Sequence, residues 1–322
     1  MEHEPHPEAI DINGELFDVV KQERLLPGMV LKSQARDAYA RLGPKESALE
    51  EQIHTVSLHE RGFPVARVLD SGEYGEDQWY FIEEALGKQP FHIQFASEYK
   101  ASSEVSEATF TKYQNVMQHY IDAQFSRHNR SSITAKEFIE STIPDNLIVA
   151  NYATCGKDVT RYQQAIALAT ERLANAPMGV LQYDLNPFNI LDGGMIDFEL
   201  VGYGPLGYDT LLVSLWHRWF SNDTSSRYHV AYYLSESQIN TIAAMVGAAA
   251  EQGGLSDSRQ YMQEFLLIKS AWGFSSLQDV YDEPEDKRAF YRYRAQILEH
   301  CVDSYLKGEP VDPLTFPEIR AS

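Results

Sequence analysis

Cysteine is nearly absent: Cys155 and Cys301 are the two thiols in 322 residues. They form no CxxC pair and cannot frame a secreted, disulfide-stapled domain, so both read as buried, reduced small hydrophobes. A chain of this length needs no staple, because it buries about three-quarters of its unfolded surface. Long apolar runs are missing too. The longest candidate, around Ile242–Ala250, is Ala-rich and about half the length that a membrane span requires. The acidic start Met1-Glu2-His3-Glu4-Pro5 lacks the basic and apolar stretches of a signal peptide. A cytoplasmic protein is the expectation. Positive charge is scarce, with 27 Lys and Arg against 47 Asp and Glu and a net charge of −20. Such a surface repels phosphate backbones and anionic lipids, so neither nucleic acid nor membrane is expected as a partner, whereas a cationic ligand would be favoured. No GxxxxGK[ST] loop, no HExxH and no other metal spacing of histidines occurs, and Ser214 and Ser275 lack the flanks of a nucleophile elbow.

What is present divides in two. The first 85 or so residues read as strands with one helix. Ile10–Ile12 and Leu16–Val20 flank Asn13-Gly14, whose positive φ angles suit a tight hairpin. Pro27-Gly28 is a turn before the short strand Met29–Lys32. Lys45–Glu60 has helical spacing, with Leu49, Ile53, Val56 and Leu58 as its apolar side and Gly62 as its stop. Val65–Leu69 and Trp79–Ile82 read as strands around a turn-rich Ser71–Asp77. After Gly87 helices dominate: Glu107–Phe125, with Phe110, Tyr113, Met117 and Tyr120 as an aromatic core stripe, then Asp158–Asn175, Tyr208–Phe220, Glu236–Gln252, Ser258–Lys269 and Pro284–Leu306. One strand-rich patch, Gly179–Val201, interrupts them.

That patch carries the chemistry. Asp184 is followed five residues later by Asn189, with Pro187 between them; a short strand, the turn Asp192-Gly193-Gly194 and a returning strand then deliver Asp197. The hairpin is expected to bring Asp184, Asn189 and Asp197 to one end of the structure. Two carboxylates and an amide oxygen suit Mg²⁺ bridging phosphates, and a carboxylate free of metal can take a proton from an attacking hydroxyl.

Gln182–Leu191, Ile196–Glu199 and Gly204-Pro205 with Tyr208-Asp209 together resemble the aminoglycoside phosphotransferase and choline kinase family, small-molecule kinases with a protein-kinase-like fold. The resemblance implies an α+β fold of two lobes, a β-rich lobe over residues 1–86 and a helical lobe over 87–322. It implies ATP and Mg²⁺ as cofactors and a small-molecule hydroxyl as acceptor. Asp184 would be the catalytic base, and Asn189 and Asp197 the metal ligands. Lys32 would grip the ATP phosphates, held by Glu51, with Glu50 as the alternative one residue away. The backbone from Glu84 to Leu86 would pair with adenine. Asp209 resembles a structural acid that holds the catalytic loop. The sequence departs from the family where Gln182 replaces a His and Tyr183 a Gly, and where the glycine-rich hairpin shrinks to Asn13-Gly14. Those departures leave a nucleotide-binding pseudokinase open, and a kinase acting on a protein hydroxyl is the third reading. Two further motifs read as structural. Gly202-Tyr203-Gly204-Pro205-Leu206-Gly207 is a literal GxGxxG, but no parallel strand with an acidic end follows it. Lys287, Arg288, Arg292 and Arg294 interleave with Phe290, Tyr291 and Tyr293 as one amphipathic helix, aromatics inward and cations outward.

Overall fold

The Asn13-Gly14 hairpin forms as its residues demand: Asn13 has φ 53° and Gly14 φ 86°, and Ile12 pairs directly with Glu15. The computed structural model describes residues 9–22, 28–198, 200–216, 232–275 and 285–316. Six strands make one sheet: β1 (Ala9–Ile12), β2 (Glu15–Gln22), β3 (Met29–Ser33), β4 (Ala38–Pro44), β5 (Val68–Tyr74) and β6 (Gln78–Glu84). Their order is β1-β2-β3-β4-β6-β5, antiparallel at every pairing. Alternation places Phe17, Leu31, Ala40, Leu42, Tyr80 and Ile82 in one apolar cluster.

Three expectations for this region change. Strand β4 was not anticipated; small Ala38 and Ala40 hide its period-two pattern. The strand expected at Val65–Leu69 is displaced to Val68–Tyr74, because Gly75–Asp77 makes the turn and Val65 instead bridges Met195. Helix α1 (Lys45–Glu60) has the expected bounds, and Gly62 (φ 83°) ends it. Its buried residues, however, are Ala48 and Leu58, while Ile53 is 56% exposed.

The helical part comprises α2 (Phe91–Ser102), α3 (Glu107–Phe125), α4 (Ala135–Thr142), α5 (Asp145–Thr154), α6 (Val159–Arg172), α7 (Tyr208–Val213), α8 (Glu236–Gln252), α9 (Met262–Ser275) and α10 (Glu285–Lys307). The aromatic stripe of α3 is core, with Phe110, Tyr113, Met117 and Tyr120 all buried. Helices α2, α4 and α5 had no expected counterpart. Helix α4 is short and held by a Thr134/Glu137 capping box. Residues 217–220, the end of the expected Tyr208–Phe220 helix, and Pro27 and Pro284 lie outside the described residues. Three short strands fall in the expected Gly179–Val201 patch, β7 (Met178–Gln182), β8 (Ile190–Leu191) and β9 (Gly194–Met195), and a fourth, β10 (Val201–Pro205), begins at its last residue. Cys301 is buried, Cys155 is half-buried, and both are free thiols. No helix among the described residues is long and apolar enough to cross a membrane.

The chain divides into two compact units. One is Met1–Pro90 with Asn189–Glu199; the other is Phe91–Phe188 with Leu200–Ser322. The β8–β9 hairpin thus packs with the N-terminal strands, and the chain passes from one unit to the other immediately before Asn189.

Candidate active site

In the helical unit, β7 is buried at every position and leads into the loop that carries Asp184. Local bonds shape this loop. Asn186 Nδ2 donates to the Asp184 carbonyl at 2.8 Å, and the Phe188 amide donates to Asn186 Oδ1 at 3.0 Å. Asp184 itself is half-exposed. Asp209, the second residue of α7, accepts four hydrogen bonds. Tyr120 Oη (2.6 Å) and the Gln182 amide (3.0 Å) donate to Oδ2, while Gln124 Nε2 (2.9 Å) and the Thr210 amide (2.8 Å) donate to Oδ1. Burial pushes the Asp209 carboxyl up, and these four donors hold it down in part. Asp209 therefore ties α3, β7 and α7 together at the entrance to the Asp184 loop.

The departures at Gln182 and Tyr183 acquire physical roles. Gln182 is fully buried, and its amide is shared between Tyr120 Oη and Asp209. The Tyr183 ring turns onto Phe138 of α4, and its hydroxyl donates to the Tyr203 carbonyl at 2.7 Å. A Cβ at position 202 would overlap that ring, and one at position 204 would overlap Phe138 and Leu181. The GxGxxG glycines thus make room for neighbours in an antiparallel β7–β10 pair, and no dinucleotide fold surrounds them. At the far end of the loop, His92 of α2 stacks on Phe188 with ring centroids 3.6 Å apart, and its amide donates to the Pro187 carbonyl. Burial pushes the His92 imidazole down to about 4, so it stacks as a neutral ring.

In the sheet unit, β8 and β9 bring Asn189 and Asp197 together: Ile190 pairs with Met195, and the Ile196 amide donates to the Asn189 carbonyl at 2.9 Å. Asp197 has φ 67°, a left-handed conformation that few non-glycine residues hold. The hairpin is seated by the Gly193 amide donating to the Leu86 carbonyl (2.6 Å) and the Met195 amide to the Pro64 carbonyl (2.6 Å). A Cβ at Gly193 would meet the Leu86 carbonyl at 2.6 Å. Leu86 packs with Ala66 and Leu191, with Ile196 against them. The Glu84 amide donates to the Arg67 carbonyl. An amide oxygen and a carboxylate carried on these paired segments are donor types that a hard divalent cation takes together with phosphate and water oxygens. No group of three or more His, Cys, Asp or Glu among the described residues could hold a metal alone.

The cation beside Glu51 is not Lys32. Lys32 lies on β3, exposed, with its ammonium 5.9 Å from the Tyr39 ring centroid. Glu51 instead faces Arg41 of β4, Nε to Oε1 3.8 Å, and Arg41 also meets Glu83 of β6 at 3.5 Å. The reason is strand order. Strand β4 runs directly into α1 and pairs with β6, whereas β3 lies one strand further out. The sequence signal for Arg41 was the alternation Tyr39-Ala40-Arg41-Leu42 just before the helix.

Elsewhere in the helical unit, a groove of about 1280 Å³ runs along α4, α5 and α6. Its lining includes Glu140, Asp145 and Glu171 against Lys136, and none of the candidate catalytic residues. In α10, Tyr293 is buried and Arg292 exposed, as expected. Arg294 is buried, against expectation, and donates to the Gly273 carbonyl at 2.7 Å. The side chains of Lys287, Arg288, Phe290 and Tyr291 lie outside the described residues.

Among solved structures, the chain is similar to an amicoumacin kinase in complex with AMP-PNP, Ca²⁺ and its ligand. The identity is 12% and the TM-score 0.53, covering 94% of this chain and 91% of that one. A putative aminoglycoside phosphotransferase from Ralstonia eutropha JMP134 aligns at 11% identity and TM-score 0.53, covering 90% and 93%. A thermostable mutant of aminoglycoside phosphotransferase APH(4)-Ia aligns at 13% and 0.50, covering 92% and 95%. At these identities the likeness establishes a kinase-like α+β fold. No curated protein matches the sequence. The family profile described as the phosphotransferase enzyme family matches residues 28–238. With well over half of its length matched, and with that fold, the chain belongs to the phosphotransferase enzyme family.

Proposed function

We propose that the protein transfers the γ-phosphoryl group of ATP to a hydroxyl of a small molecule. The observation that carries this reading is the β8–β9 hairpin, which sets Asn189 beside an Asp197 held at φ 67°. Backbone strain of this kind persists where a side chain must be aimed. Asn189 and Asp197 would hold Mg²⁺, which would supply charge neutralisation on the transferred phosphate. Asp184 accepts the proton of the acceptor hydroxyl as its oxygen bonds to the γ-phosphorus and the bond to the bridging oxygen of ADP breaks. Phosphoryl transfer leaves little covalent work to the protein, so orientation of the hydroxyl is the larger part of this role. Arg41, steadied by Glu51 and Glu83, takes the phosphate-binding role first assigned to Lys32. A guanidinium presents a fork that matches two phosphate oxygens. The backbone from Glu84 to Leu86 pairs with the nucleobase, beside the apolar Ala66, Leu86 and Leu191. The acceptor is a hydroxylated amine rather than an anion. Support comes from the net charge of −20 and from the aminoglycoside substrate class in the names of similar proteins.

The test is a phosphate-transfer screen of hydroxylated amines, sugars and antibiotics with Mg²⁺ and ATP, run on the wild type and on Asp184→Asn. Turnover of the variant should fall by about 10²–10⁴-fold with ATP affinity unchanged. A variant as active as the wild type would remove Asp184 from the mechanism. A wild type that binds ATP but transfers to nothing would favour the pseudokinase reading.

A further inference from the structure

Two acids reach Arg41 in different ways. Strands β4 and β6 are antiparallel neighbours, with Tyr39 paired to Glu83 and Arg41 to Phe81. Paired residues share a face, so Arg41 and Glu83 are diagonal neighbours on one side of the sheet, a spacing of about 7–8 Å that long side chains can bridge. The other side carries Ala38, Ala40, Leu42, Tyr80 and Ile82 of the apolar cluster. Pairing that runs unbroken from Ala38 and Glu84 to Pro44 and Gln78 fixes this diagonal. Glu51 comes to Arg41 from a separate element, α1.

The two contacts also differ in closeness and in burial. Glu83 Oε1 lies 3.5 Å from Arg41 Nε, and Glu51 Oε1 lies 3.8 Å from it. The Glu83 side chain is 12% exposed and that of Glu51 30%. Arg41 and Glu51 both line a cavity of about 230 Å³ bounded by β4, α1 and the start of β3, and Glu83 is not part of its lining. Glu83 therefore holds the guanidinium from outside the cavity, while Glu51 stands at the cavity wall. Burial pushes the Glu83 carboxyl up, and Arg41 opposes that rise. A carboxylate so deeply placed is costly to leave without its cation, whereas a more exposed one can share its cation with another anion.

On the reading of Arg41 as the phosphate-binding group, we propose that Glu83 is the positioning residue that keeps it aimed, and that Glu51 is the acid that shares the guanidinium with an arriving phosphate. The hold on the cation then lies in the sheet rather than in α1. Glu83 is followed directly by Glu84, so β6 carries both this hold and the start of the backbone assigned to the nucleobase. A guanidinium fixed in this way meets the phosphates without first being ordered.

Glu83→Gln and Glu51→Gln in the full-length protein test this, by titration calorimetry with Mg·ATP and with AMP. Both changes keep the shape of the side chain and remove its charge. Glu83→Gln should weaken Mg·ATP about fivefold or more and leave AMP within about twofold, because AMP lacks the phosphates that Arg41 would hold. The loss in Glu51→Gln should be at least about threefold smaller. In the Arg41→Ala background, Glu83→Gln should cost Mg·ATP nothing further. A merely structural Glu83 would move Mg·ATP and AMP together and would do so with or without Arg41; either result overturns the proposal. So does unchanged or tighter Mg·ATP binding in Glu83→Gln, which would make Glu83 a competitor of the phosphate. Full Mg·ATP affinity in Arg41→Ala would mean that the reading of Arg41 itself has failed, and Glu83 would fall with it. Weak binding in Arg41→Ala with full binding in Glu83→Gln would mean that the role of Glu83 alone has failed.

Discussion

In the sheet unit, Arg41 meets Glu51 and Glu83 at 3.8 and 3.5 Å, and more exposed pairs join Arg36 to Glu15 and Lys45 to Glu73. In the helical unit, Asp209 holds four donors at 2.6–3.0 Å with every partner side chain buried, and Lys269 is sealed in the same interior. The first arrangement can exchange partners: a guanidinium between two acids can turn to an arriving phosphate while the acids hold it in place. The second cannot exchange freely, because four buried donors around Asp209 would each lose a partner in a dry interior. One unit thus carries charges suited to capturing a ligand, and the other carries charges that hold a loop in position. Burial acts on the acids of both units, pushing the Glu83 carboxyl up against the pull of Arg41 just as it does that of Asp209.

Breaking the rigid side should have the larger effect. Asp209→Ala should cost on the order of 3–5 kcal/mol in urea unfolding and abolish turnover, since it takes a charged partner from buried donors on three elements. Arg36→Ala, which removes a half-exposed pair with Glu15, should cost no more than about 1 kcal/mol. Similar losses in the two variants would erase the distinction between the units.

On the exchangeable side the expected effect lies in binding. Arg41→Ala should weaken Mg·ATP affinity about tenfold or more, while Lys32→Ala should stay within about twofold, measured by titration calorimetry. The reverse ranking would return the phosphate to Lys32 and make the Arg41 pairs purely structural.

The smallest effect sharpens the description of the loop. His92 is pushed down to about 4 by burial, against about 6.5 in the unfolded chain. As pH falls below about 6.5 the unfolded chain takes up the proton first, so stability present at neutral pH is lost progressively toward pH 4. His92→Phe keeps a ring against Phe188 without a titrating group. It should remove about 1 kcal/mol of the stability lost between pH 7 and pH 5, read as the change in urea midpoint. An identical acid loss in both proteins would mean that His92 is protonated where it stands.

The loop that runs from Asp184 to Asn189 and the β8–β9 hairpin after it were legible because they are contiguous in sequence. The Asn13-Gly14 turn and the bounds of α1 and α3 were legible for a related reason. Positive φ, helical periodicity and a terminal glycine act within a few residues of each other. The apolar face of α1 was misread because exposure of Ile53 depends on which sheet face the helix covers. Strand β4 was missed because two alanines carry its inward pattern, and alanine marks no face.

Local sequence alone therefore determined the hairpins, the long helices and the set of acids and amides that could do chemistry. The tertiary structure decided which cation meets which acid. The sequence alone offers Lys32 as the partner of Glu51, and the sheet order puts Arg41 there instead, because β4, and not β3, lies next to β6 and runs into α1. Lys269 reads as an ordinary helix lysine until packing leaves it 4% exposed. The physical reason is range. Backbone preferences are settled by neighbours in the chain, whereas the strength of a charge is settled by what surrounds it in space, and sequence spacing does not encode that.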